Sequence, residues 1–247
     1  MSISDLNYPE VRYSRTGLKA VVCRLTFNPI LKIGQEVPAA FQDLVRHEFP
    51  KLFQEESTGF RIGPGPSMEA LPPQPAVWRF RTEDDCWTAG LAVNFLSLES
   101  TRYEHFPDFE SRFRVIQQAL ESVYQTDHYV RVGLRYINAF SPDEFPGGWG
   151  ARFNPMLLGV IADSTLAGEV KESRGSFILA GDDWTIVVRH GTENGTYRLD
   201  IDHASEAGVR ADEVGQRLKE FNGRIYQVFR WAITSSMHEE MEATPNE

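Results

Sequence analysis

Asp200-Ile201-Asp202 sets two carboxylates on one face of a β-strand, about 7 Å apart. Such a pair can grip a divalent cation, the chemistry of phosphoryl transfer and metal-assisted hydrolysis. The competing use is structural. Asn194-Gly195 is a strong two-residue hairpin signal. With those residues in the turn, 193 faces 196 and Arg189 faces Asp200. The register also puts Trp184, Ile186, Val188, Leu199 and Ile201 on one face and the charged residues on the other. An ion pair without a metal is therefore expected at Asp200 and Asp202. A metal-dependent phosphoryl-transfer or hydrolytic enzyme is the alternative.

Arg131-Val-Gly-Leu-Arg135-Tyr-Ile-Asn138 is the most distinctive segment. Strict alternation puts Arg131, Gly133 and Arg135 on one strand face. Guanidinium forks bind carboxylate or phosphate in a bidentate manner, and glycine leaves the backbone open to close approach. Arg131, Arg135 and Asn138 are thus candidate contacts for a ligand or partner. Tyr103 and Trp149 are candidate aromatic contacts, the latter in the glycine-rich Gly147-Gly148-Trp149-Gly150. The bland alternative pairs Arg135 with Glu99 or a helix-end carbonyl and makes the glycine-rich segment a plain loop.

Other constellations are weaker. Gly181-Asp182-Asp183 imitates a polymerase metal hairpin, but glycine and aspartate are also what a tight turn uses. The histidines at 47, 105, 128, 190, 203 and 238 form no ligand spacing. There is no nucleophile elbow, phosphate loop or dinucleotide fingerprint. Cys23 and Cys86 are too few for a disulfide framework or a cysteine zinc site and are expected as small core residues. No catalytic residue, metal or cofactor is expected.

The elements that must position these residues alternate between two periods. A strand is expected over 20–28. Pro38 opens a helix carrying Phe41, Leu44, Val45 and Phe49, and Pro50 ends it. Residues 57–76, rich in proline and glycine, are expected to be a long loop. A hairpin follows, with Val77–Arg81 as one arm and Trp87 to Phe95 as the other. Phe106, Phe109, Phe113, Ile116, Leu120 and Val123 mark a helix over 106–124. The second half repeats the order: a strand over 130–140, a short helix opened by Asn154-Pro155, strands at 177–180, 184–190 and 197–202, and a helix over 212–236. The end after Met237 is expected to fray. The reading is α+β, mainly antiparallel sheet with two long packed helices. It suggests an internal duplication of a strand-helix-strand-strand-helix unit, with halves 1–128 and 129–247 and an extra strand in the second copy.

The chain has 247 residues, 41% of them hydrophobic, so one sizeable domain with a real core is expected. With 25 Lys and Arg against 35 Asp and Glu, its formal charge of −10 argues against a broad nucleic-acid footprint. No apolar run reaches the roughly 20 residues of a membrane span, and Met1-Ser-Ile-Ser-Asp lacks signal-peptide features. A cytoplasmic protein is expected.

Several stretches resemble a large bacterial family of uncharacterised, sporadically distributed proteins of about this length. They are Val21 to Pro29, Trp78-Arg-Phe, Leu91 to Glu99 with Tyr103, Tyr197 to Asp202 and the helix from Phe229 to Met237. The specific match is Gly133-Leu-Arg-Tyr-Ile-Asn138. The resemblance implies no set activity. Its patchy occurrence is similar to that of mobile antiviral-defence and toxin–antitoxin genes. The doubled order also resembles gyrase-inhibitor-like effector-binding domains, which cup small molecules or proteins. The expected function is a non-enzymatic binding protein. Its partner is another protein of the same operon, itself, or a small anionic ligand held between its halves. A homo-oligomeric adaptor is a further alternative.

Overall fold

Period-two alternation of β-branched and aromatic residues dominates the chain, and the computed structural model is accordingly a mixed α+β fold with a large antiparallel sheet. It describes residues 3–55, 60–62, 68–70, 77–163, 165, 166 and 168–245. In chain order the first elements are β1 (Val11–Tyr13), β2 (Leu18–Thr26), α1 (Leu31–Gln35), α2 (Ala39–Val45) and β3 (Lys51–Glu55). Next are β4 (Phe60–Ile62), β5 (Met68–Ala70), β6 (Val77–Arg81), β7 (Trp87–Ala92), β8 (Phe95–Ser100) and α3 (Phe106–Tyr124). Then come β9 (His128–Tyr129), β10 (Arg131–Phe140), α4 (Pro155–Leu158), β11 (Glu172–Ala180), β12 (Trp184–Glu193) and β13 (Thr196–Ser205). The chain ends with β14 (Val209–Arg210), α5 (Val214–Ala232), α6 (Ser235–Glu240) and β15 (Ala243–Pro245). Among the described residues no helix is long and apolar enough to cross a membrane.

Contacts group the residues into two compact units. The first holds residues 22–132 and 207–215, the second 1–21, 133–206 and 216–247. Two pairings explain why this grouping is not a cut at 128/129. β1 is hydrogen-bonded to β15, which draws the early residues to the late ones. β14 pairs with β9, which returns 207–215 to the earlier part.

In the first unit the strand order is β2-β8-β7-β6-β3. One face is apolar: Cys23, Leu25, Phe80, Ala89, Leu91, Leu96 and Leu98 are buried. The stripe of α3 meets this core through Phe109, whose ring lies 5.8 Å from that of Trp87, and Phe41 of α2 lies 5.3 Å from Phe80. α3 starts where His105 Nδ1 accepts the Asp108 N–H and stops at Gln125 in the left-handed conformation. Residues 87–95 are not one strand. Val93 and Asn94 turn the chain, and β7 and β8 pair as a hairpin with Ala92 opposite Phe95. Backbone N–H groups of Ile30 and Phe27 satisfy the Val93 and Asn94 carbonyls, a tertiary bond that no local pattern announces. Three strands, β6, β7 and β8, thus precede α3 where two are expected from the sequence. Of the expected loop over 57–76, only β4 and β5 lie within the described residues, and they pair antiparallel rather than forming open loop. Cys23 is buried in β2, whereas Cys86 precedes β7 in the turn.

In the second unit the order is β11-β12-β13-β10, each pair antiparallel. The Asn194-Gly195 turn has φ of 49° and 82°, as a hairpin of this type requires. Arg189 faces Asp200 and Val188 faces Ile201, as the turn dictates. Phe140, Phe153 and Tyr197 are buried together, and the last two rings stack at 3.9 Å. Asn154 caps α4 by accepting the Met156 N–H. The last long helix stops at Ala232. The tail expected to fray instead forms α6 and β15, because Thr234 caps α6 and Met237 and Met241 are fully buried.

Candidate functional site

The side of β2 that carries Arg24, with the matching side of β8, β7, β6 and β3, is not used for the apolar core, so the first unit carries a polar sheet face. Register places Arg79 opposite Phe53 on one side and Gly90 on the other, with Gly90 opposite Ser97. Arg81 and Lys51 share this face with Arg79 and Phe53, and Phe95 and Glu99 share it with Ser97. Basic residues outnumber Glu55 and Glu99 here, against the sign of the whole chain.

Three arginines converge. Arg24 is exposed, and its guanidinium carbon lies 3.9 Å from the Phe95 ring centroid. The Val130 N–H donates to the Thr26 carbonyl at 2.7 Å, which sets Arg131 alongside the end of β2. Arg79 donates from Nε to Glu55 Oε2 at 2.9 Å and stretches across Gly90. A methyl group at position 90 would stand 2.7 Å from Arg79 Nη1 and 2.6 Å from Ser97 Oγ, so it would push the guanidinium aside from this position. The Arg24 guanidinium is held below the usual arginine range, first by loss of solvent and then by the charges of Arg131 and Arg79. Neither Arg24 nor Arg131 has a carboxylate partner among the described residues. Like charges held close together cost energy, which makes this patch a candidate site for an anion.

The residues expected from sequence fall in different places. Arg131 lies in the cluster. Arg135 donates to Asp200 from Nε at 2.7 Å and from Nη2 at 2.5 Å, a bidentate pair that raises its affinity for its proton. Arg189 reaches the same carboxylate only at 3.5 Å and Asp202 at 3.9 Å. Asp200 thus faces Arg189 in register but is gripped by Arg135, and the pairing of Arg135 with Glu99 is replaced. Asn138 is buried and donates to the Leu199 carbonyl at 3.1 Å. Trp149 is buried, donates to the Gly195 carbonyl at 3.0 Å and packs on Phe153 and Tyr197. Tyr103 is half-buried against Phe109. Gly181-Asp182-Asp183 is a turn in which Asp183 pairs with Arg217 at 2.6 Å. No group of three metal-ligating side chains comes together among the described residues.

The fork between Arg135 and Asp200 gives a first expected result. Arg135→Lys keeps the charge and loses the second hydrogen bond, so stability should fall by about 1 kcal/mol. Urea denaturation reads it; an unmoved midpoint would show that the pair carries no stability.

Sequence reasoning missed Arg24, Arg79, Phe95 and Gly90. A signal was present: arginines on the solvent side of strands in an acidic chain, with a glycine inside an otherwise regular alternation. No family model matches the chain, and no curated protein does.

Proposed function

We propose that the protein is a non-enzymatic binding protein whose site for an anionic ligand is the arginine face of the first unit. One observation carries the reading: among the described residues, Arg24, Arg79 and Arg131 gather with Glu55 as the one carboxylate paired to them, while Arg24 is stacked on Phe95 rather than paired. Asp200 and Asp202, the carboxylates on which the metal-dependent alternative depends, are occupied by arginines. The experiment is a melting-temperature series with sodium citrate, phosphate and sulfate at constant ionic strength. The anions should stabilise the wild type and the control Arg198→Gln, whose arginine lies in the second unit beside Glu193. They should leave Arg24→Gln unmoved. Equal shifts in all three proteins would reject the reading.

The same ground supports an internal duplication. The first unit orders its strands β6-β7-β8-β2 and ends in α3; the second orders them β11-β12-β13-β10 and ends in α5. On this correspondence Arg24 and Arg135 occupy the same strand of the two copies. One copy neutralises its arginine internally with Asp200, and the other keeps it for a ligand.

A further inference from the structure

We infer that the anion received by this face is a phosphoryl dianion, held above Gly90 and Ser97 between Arg79 and Arg24, with Arg131 as the third cation. The inference rests on reading the face as an anion site and specifies its ligand.

The second unit shows what a carboxylate needs. Asp200 is served by one planar fork, two donors from Arg135 to two oxygens in one plane. The first unit offers something different. Arg24 comes from β2, Arg131 from the start of β10 and Arg79 from β6, two strands beyond β8 in the order of the sheet. Donors carried by three separate strands can serve different oxygens of one group, which suits a tetrahedral anion with three terminal oxygens better than a planar carboxylate. The donors also remain available. Stacking on Phe95 uses the flat face of Arg24 and leaves its in-plane N–H groups free. Glu55 occupies Nε of Arg79 and so fixes the side chain across Gly90, leaving Nη1 over the floor beside the Ser97 hydroxyl. Charge agrees with shape: Arg24, Arg79 and Arg131, with Arg81 and Lys51 against Glu55 and Glu99 on the same face, leave a positive excess, which favours a dianion such as a phosphate monoester above its second ionisation.

The test is calorimetric titration of the full chain with phenyl phosphate, inorganic phosphate and benzoate. At about pH 7.5, phenyl phosphate should bind at least about tenfold more tightly than benzoate, and its affinity should weaken several-fold by about pH 5 as the monoester takes up a proton. Sulfate, a dianion throughout, should show no such fall. Phenyl phosphate tighter than inorganic phosphate identifies an ester as the natural form; equal affinities identify the free ion, and either supports the phosphoryl assignment. Arg131→Gln, a half-exposed position outside the apolar core, should lose binding with its melting temperature kept. Gly90→Ala should lose it as well by displacing Arg79. If benzoate matches phenyl phosphate and Arg131→Gln weakens both, the phosphoryl assignment falls and the anion site stands. If no probe binds at about 10 mM, both fall.

Discussion

Arg152→Ala should cost about 3 kcal/mol of stability, one of the two largest effects expected of a single substitution here. Arg152 is buried and uses its whole guanidinium. Nε and Nη2 donate to Glu240 at 2.7 and 2.8 Å, Nη1 donates to the Gly148 carbonyl at 2.6 Å, and Nη2 also reaches the Pro146 carbonyl at 2.8 Å. It therefore ties the 146–150 loop to α6. Truncation strands a half-buried carboxylate and two carbonyls at once. Glu240→Gln, which removes the charge and keeps an acceptor, should cost less. The Glu240 carboxyl is held below the usual glutamate range, chiefly by its hydrogen bond from Arg152. Its contribution is thus complete above the unfolded-state value, about 4.3, and fades as pH falls through the lower folded value. Denaturant midpoints from neutral to acid pH read this. A gap between wild type and Glu240→Gln that stays constant down to strong acid would contradict it.

Gly191→Ala should be equally damaging, by about 3 kcal/mol. Gly191 sits inside β12 with φ of 141°, where a side chain is strained in any surroundings. A methyl group there would also overlap the Ser173 carbonyl oxygen in β11. Backbone cannot step aside as a flexible side chain can, so β11 must shift or part from β12. Gly148→Ala makes the comparison: φ is 80°, but no atom lies within 4 Å of the added methyl, so only the backbone strain, about 1 kcal/mol, is felt. Hydrogen exchange should show the β11 amides losing protection in Gly191→Ala and keeping it in Gly148→Ala. Protected β11 amides in both variants would mean that the sheet absorbs the overlap.

What the sequence disclosed follows the range of the forces involved. The Asn194-Gly195 register was legible because a two-residue turn with positive φ fixes every pair that follows, from 193 opposite 196 to Arg189 opposite Asp200. The apolar stripe of α3 and the Asn154-Pro155 cap were legible for the same reason, being set within one or two turns of chain. The partner of Asp200 was not. Local pairing offers Arg189, but β10 lies on the other side of β13, and Arg135 arrives from 65 residues away with the better geometry. The turn at Val93 and Asn94 was hidden because neither residue has positive φ and the carbonyls are satisfied by distant N–H groups. The arginine face was hidden more deeply. Arg24, Arg79 and Arg131 each look like an ordinary solvent-side residue, and only the strand order reveals that they share one patch.

The pairing of β1 with β15 has a consequence for synthesis on the ribosome. Residues 11–13 and their hydrogen-bonding partners, 243–245, lie far apart along the chain. The Tyr13 ring rests against Phe229 and its hydroxyl meets His238 Nδ1 at 2.9 Å, so this segment cannot dock until those distant residues have also been made. The β6-β7-β8 meander needs no such wait: its strands are joined by short turns and can pair as they emerge. The nascent chain thus carries an unsatisfied strand from the synthesis of 11–13 until that of 243–245, and that is the interval in which chaperones would have to shield it.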